Sequence, residues 1–368
     1  MKVKLLCLLL MVFVIQIKAS EHGIYLMTNK KVQGNIEQIQ KQIVDALNEG
    51  EFNVLASVNI HTPDYVRKNK DEHCGFKAHL IVFSSKSYQK MLTSFGTKYL
   101  VAGFLKIGLY ETPEGINVII LDPETISRIV FNDLYDNDKR AEYSNAVNKT
   151  KIYKNKIVDL LHKTVGGEHV KIKMEPIREN DDLAESSKDM FMMVGPLTLF
   201  TDEDQFPMIY STDNPEGFNG LKKLEQKFQA NLRSFVPVKD DMEYRWYPNK
   251  QALQWKIISK INSPKNDAIL LGITRPRTEA VSFNIAGSSR ENNVNKCPGI
   301  DHVPAYPIEI LLIQEGNKIN VYTQKEMHRM DMYFWDAGMS AFMNHMSMPA
   351  VLDESIKKAL LGNEYTED

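Results

Sequence analysis

The chain has 368 residues, 43% hydrophobic and 25% charged, with a formal net charge of −2. That length suits two ordinary domains, each able to bury a core, and the composition is globular rather than disordered. No long Lys/Arg run or Arg–aromatic stripe occurs. This argues against nucleic acid or an anionic membrane surface as a partner, because phosphate binding needs clustered cations.

Residues 1–20 carry Lys2 and Lys4, an apolar run over 5–15, then the small residues Ala19 and Ser20. This is the order of a cleaved secretory signal peptide, and the run falls short of the ~20 residues of a bilayer span. The expectation is a periplasmic or secreted protein with no stable membrane insertion after cleavage; an uncleaved anchor is the alternative. Cys7 lies in the apolar run, so Cys74 and Cys297 remain in the mature chain. In an oxidising compartment they form either one disulfide or two buried thiols, and both readings stand.

In chain order, 23–32 reads as a strand. Asn35 then caps a helix with Ile36, Ile39, Ile43 and Leu47 at helical spacing, closed by Gly50. Alternation over 52–60 predicts a half-buried strand. A polar loop follows over 61–72, then a strand over 75–83 and a short helix with Tyr88, Met91 and Leu92. Residues 104–121 (FLKIGLYETPEGINVIIL) predict a hairpin, followed by a polar linker and a helix over 153–161. In the second half, 169–174 and 190–199 have strand character. A helix from Asn219 places Leu221, Leu224, Phe228 and Leu232 on one face. Strands over 252–261 and 268–273 flank a turn-rich linker. A second hairpin spans 308–323 (IEILLIQEGNKINVYT), and a final helix holds Ile356, Ala359 and Leu360.

The two hairpins correspond. Leu105, Ile107 and Leu109 match Ile308, Ile310 and Leu312, and both second strands carry Ile-Asn-Val. Recurrence of this kind predicts a duplicated domain. The runs GEFNVLASVNIHTP, CGFKAHLIVFSSKSYQKML and FLKIGLYETPEGINVIILDPE resemble the domain-of-unknown-function 302 family over 34–165. A divergent second copy is carried by ALQWKIISKIN, AILLGITRP, the second hairpin and AVLDESIKKALLG. The resemblance implies an α+β fold of two tandem antiparallel-sheet domains, each with helices on one face in a TATA-binding-protein-like arrangement. The expected boundaries are a signal over 1–20 and units over 21–166 and 167–368. The family's Pro-Cys before the central hairpin strand is absent from the first copy, which has Val101-Ala102-Gly103 there. The second copy has Cys297-Pro298 in reversed order. A thiol role therefore does not carry over directly.

The sharpest chemical candidate is Met327, His328, Met330, Met343, His345 and Met346, with further Met at 332, 339 and 348. Thioethers and imidazoles suit Cu(I) in an exported copper-binding protein. The competing reading is a core stripe, because Met339, Phe342, Met343 and Met346 sit at helical spacing. His73 beside Cys74, and Cys297 near His302, raise a thiol enzyme. Neighbouring strand residues point to opposite faces, however, and no orienting third group is identifiable. Asp202, Glu203 and Asp204 lack the alternation of a calcium loop. No phosphate-cradling Gly loop, Ser elbow or zinc motif occurs in the sequence. The leading expectation is a non-catalytic binding or accessory protein for a small ligand or protein partner, a monomeric pseudo-dimer without a predicted cofactor. Its site is the groove between the units, lined by the loops before each hairpin.

Overall fold

The computed structural model describes residues 21–62, 75–179, 183, 205–237, 252–286, 299–337 and 348–366. The first unit runs β1 (Glu21–Val32), α1 (Ile36–Glu49), β2 (Asn53–Ile60), β3 (Ala78–Ser84) and α2 (Lys86–Thr93). A 3₁₀ segment (Thr97–Gly103), β4 (Leu105–Thr112) and β5 (Gly115–Leu121) follow. Asn35 caps α1 by accepting from the Glu37 N–H, and Ile36, Ile39, Ile43 and Leu47 form its buried stripe, as the spacing requires.

The stretch expected as a polar linker is helical instead: α3 (Pro123–Val130), α4 (Asn132–Asp136) and α5 (Arg140–Thr164). Asp122 caps α3 by accepting from the Glu124 N–H, and Pro123 stands at the first helical position, where its missing N–H costs nothing. In α5, Tyr143, Ala146, Val147 and Thr150 continue the buried stripe of Tyr153, Ile157 and Leu161.

β6 (Glu168–Glu179) pairs antiparallel with β1, Tyr25 opposite Met174. The first sheet therefore has the order β2-β3-β4-β5-β1-β6 and extends beyond residue 166. The second unit's sheet uses β7 (Met208–Asp213), α6 (Phe218–Ser234), β8 (Lys256–Asn262), β9 (Ala268–Thr274), α7 (Pro276–Ala286) and a second 3₁₀ segment (Ile300–Ala305). β10 (Ile308–Glu315), β11 (Lys318–Thr323), α8 (Glu326–Phe334), a short 3₁₀ turn (Trp335–Ala337) and α9 (Met348–Leu361) complete it. Its order is β7-β11-β10-β9-β8, all antiparallel. β7 was not expected, because an edge strand that buries none of its residues shows weak alternation.

The two sheets share one topology. With β6 set aside, each is first strand, second hairpin strand, first hairpin strand and two outer strands. The hairpins also match in register: Ile107 faces Ile120 as Ile310 faces Thr323, and Thr112 faces Gly115 as Glu315 faces Lys318.

Leu105, Ile107 and Leu109 alternate with Lys106, Gly108 and Tyr110 along β4, yet all six are buried. A strand buried on both faces needs cover on both. α1 packs on β2, β3 and β4, and α6 packs on β8, β9 and β10. The opposite faces meet across the units: the second unit's 3₁₀ segment lies on β3, β4 and β5, and the first unit's lies on β9 and β10. This exchange is reciprocal, as a pseudo-twofold axis demands. One apolar core runs through both units.

Candidate functional site: the groove between the units

Alternation along β4 and β10 selects what meets across the interface. Gly108 shows the direction, because a Cβ there would fall 2.9 Å from Pro304 Cδ. Lys106, on the same face, puts Nζ 2.5 Å from Glu309 Oε1 and 3.1 Å from the Pro307 carbonyl. Lys106 and Glu309 occupy equivalent places in the two hairpins, 203 residues apart, so the pair marks the axis. Burial pushes the Lys106 ammonium down, and the Glu309 carboxylate beside it opposes that shift.

The same offset of 203 aligns a second arrangement. In the first unit, the Tyr99 hydroxyl donates to Asp133 at 3.0 Å, and its ring leans on Phe131 with centroids 4.4 Å apart. In the second unit, His302 Nε2 lies 2.9 Å from Asp336, and its ring stacks on Phe334 at 5.5 Å. Each unit thus holds one 3₁₀-segment ring against an Asp and a Phe from the helices after its hairpin. Lys98 adds an ion pair to Asp133. At the equivalent place, Asp301 lies 3.2 Å from His302 Nδ1. Full burial alone would lower the pKa of His302, but the Asp336 and Asp301 carboxylates outweigh it and raise it to about 9. His302 is an imidazolium at neutral pH, enclosed also by the edge of Tyr25 at 5.2 Å.

The surroundings of these two rings differ. Beside Tyr99 the units leave a groove of about 230 Å³. Its floor is Val101 and Val130 from the first unit and Leu311 and Ile313 from the second. Its rim is polar. Asn132 donates to Gln205 at 3.1 Å, and the Tyr322 hydroxyl donates to Glu315 at 3.2 Å. Partial burial and the Glu315 charge raise the Tyr322 pKa, so it stays a donor. Among the described residues the groove's rim carries two carboxylates, Asp133 and Glu315, and one ammonium, Lys98.

The sequence-selected residues fall elsewhere or apart. Of the copper candidates, Met330 lines a small cavity between α7, α8 and α9. His328 turns to another neighbourhood, with Gln324 Nε2 3.0 Å from its Nδ1 and Phe206 edge-on. Burial lowers the His328 pKa to about 3. Met327 is half-buried. Met343, His345, Met346, Cys74 and Cys297 lie outside the described residues. His302, noted only as a neighbour of Cys297, is fully buried at the interface. The Tyr99–Asp133 and His302–Asp336 pairs were legible only by carrying the hairpin alignment outward in both directions, where Gly96 and Gly299 also match.

No family model matches the chain, and no curated relative matches it. Among solved structures it is similar to an uncharacterized conserved protein DUF302 from Bacillus stearothermophilus. The identity is 8%, with 38% of this chain and 98% of that chain covered, and the TM-score is 0.29.

Proposed function

We propose that the protein is an exported, non-catalytic binding protein, a tandem pair of domain-302-like units that takes a small organic molecule in the groove between them. The observation that carries this reading is the groove of about 230 Å³, whose apolar floor and polar rim come from both units. A concave apolar surface with a few placed polar groups is the usual form of a ligand site, and this one is somewhat smaller than the usual ~300–1,000 Å³. The excess of rim carboxylate over ammonium favours a ligand with amine or hydroxyl donors and an apolar face over an anion. Export is supported by the charged, apolar, small order of residues 1–20. Among the described residues no helix is long and apolar enough to cross a membrane.

The test compares thermal unfolding of the wild type and Val101→Trp, which fills the groove floor, across panels of primary amines, polyols and amino acids. At least one donor-bearing class is expected to stabilise the wild type and leave the variant unmoved. Failure of every class, or equal stabilisation of both proteins, would refute the reading.

A further inference from the structure

The outer edge of the first sheet carries a polar chain of side chains remote from the groove lining. β2 is the edge strand, and Ser57 and Asn59 stand two residues apart on it, so both project to one face. His79 on β3 lies opposite Asn59 in the ladder. Gln40 reaches the same face from α1, beside the buried stripe of Ile36, Ile39 and Ile43. Four polar side chains thus meet at the border of a helix-on-sheet contact that is otherwise apolar.

Ser57 Oγ lies 2.8 Å from His79 Nε2, and His79 Nδ1 lies 2.8 Å from Asn59 Oδ1. Gln40 Nε2 lies 2.6 Å from Ser57 Oγ. The two ends of this chain set the direction of every proton between them. The Asn59 carbonyl oxygen can only accept, so His79 Nδ1 carries its proton and Nε2 presents a lone pair. The Gln40 amide nitrogen can only donate, so the Ser57 hydroxyl accepts from it and gives its own hydrogen to His79 Nε2. His79 is buried. Burial lowers its pKa to about 4, against an upward pull from the Glu37 carboxylate, so at neutral pH the imidazole is in the form that can take a proton. Ser57 is half-buried and Asn59 exposed, which leaves this end of the cluster open to solvent.

We propose that Ser57 is a nucleophile and a covalent acylation site, with His79 as its base and Asn59 as the group that orients His79. A hydroxyl bonded to an imidazole that a third group holds in one tautomer is the arrangement that activates serine toward an acyl carbon. The acyl donor is an activated ester. Ser57 Oγ bonds to the carbonyl carbon as its proton passes to His79 Nε2. The bond from that carbon to the leaving oxygen then breaks, and the departing alkoxide or phenoxide takes the proton from His79. Gln40 keeps the hydroxyl in place through its bond to Oγ. One acyl group is taken per chain, and the groove between the units plays no part.

Incubation of the full chain with p-nitrophenyl acetate, followed by peptide mass mapping against time, tests this first without any variant. Ser57 is expected to gain an acetyl group at least ~100-fold faster than the exposed Ser94 and Ser144. His79→Gln should slow that labelling roughly 100-fold. Asn59→Asp, at an exposed position and a stronger acceptor for Nδ1–H, should label at least as fast as the wild type, whereas Asn59→Leu should label more slowly. Val101→Trp, which fills the groove, should leave the Ser57 rate unchanged, so this site and the groove succeed or fail separately. Labelling of Ser57 no faster than Ser94 in the wild type, or an unchanged rate in folded His79→Gln, would overturn the proposal. So would equal rates in Asn59→Asp and Asn59→Leu, or loss of labelling in Val101→Trp.

Discussion

Replacing His302 with glutamine removes a buried imidazolium and leaves Asp301 and Asp336 with a neutral partner. The folded-state pKa is about 9 against an ordinary 6.5. At 1.36 kcal/mol per unit this difference corresponds to roughly 3 kcal/mol of stability from the charged form. A group whose folded pKa is raised contributes fully below its unfolded pKa. The contribution is lost as pH rises through the folded one, so the window is pH 6.5 to 9. Urea unfolding of wild type and variant at about pH 6 and about pH 9.5 measures the effect as a difference, which cancels other groups titrating in both proteins. The stability gap between them should shrink by about 3 kcal/mol on going to the higher pH. A gap that stays constant would show that His302 is neutral in the folded protein and that the two carboxylates do not govern it.

Glu309→Gln leaves the Lys106 ammonium buried without its carboxylate and should cost about 3–5 kcal/mol. Lys106→Met combined with Glu309→Leu should recover most of that loss in a urea-unfolding cycle. Gly108→Val drives a side chain into Pro304 and Val303 of the opposing unit. It should destabilise by about 1–3 kcal/mol in the same assay. His328 and His79 have pKa values lowered by burial to about 3 and about 4. Their contributions are present above pH 6.5 and lost as pH falls toward those values, so acid unfolding of His328→Leu should show a shallower slope below pH 6.5. Tyr99→Phe removes the bond to Asp133 and should cost about 0.5–1.5 kcal/mol by urea unfolding.

Periodicity sufficed where one element buries one face. The stripes of α1 and α6 and both hairpins follow directly from apolar spacing. It failed where cover comes from far along the chain. Lys106 and Glu309 read as the polar sides of alternating strands, and only docking of the other unit makes them core. α3 and the first half of α5, ahead of the expected helix over 153–161, were hidden because capping by Asp122 and a stripe broken by Thr150 read as a polar linker. The groove was expected between the loops before each hairpin; only the segment before the first lines it, and its rim joins Asn132 to Gln205 and Tyr99 to Asp133. No local pattern announces such pairs.

The Lys106–Glu309 pair has a consequence for which halves can pair. On a true twofold axis a residue meets its own copy, so a symmetric dimer of first units would oppose Lys106 to Lys106, and one of second units Glu309 to Glu309. Either places two like charges in a dry interface, at a cost of several kcal/mol. Within this one chain the position is lysine in the first unit and glutamate in the second. The two units are therefore not interchangeable. Each discriminates against its own kind and accepts the other, so pairing is settled within a single polypeptide and like-with-like assembly between neighbouring molecules is disfavoured.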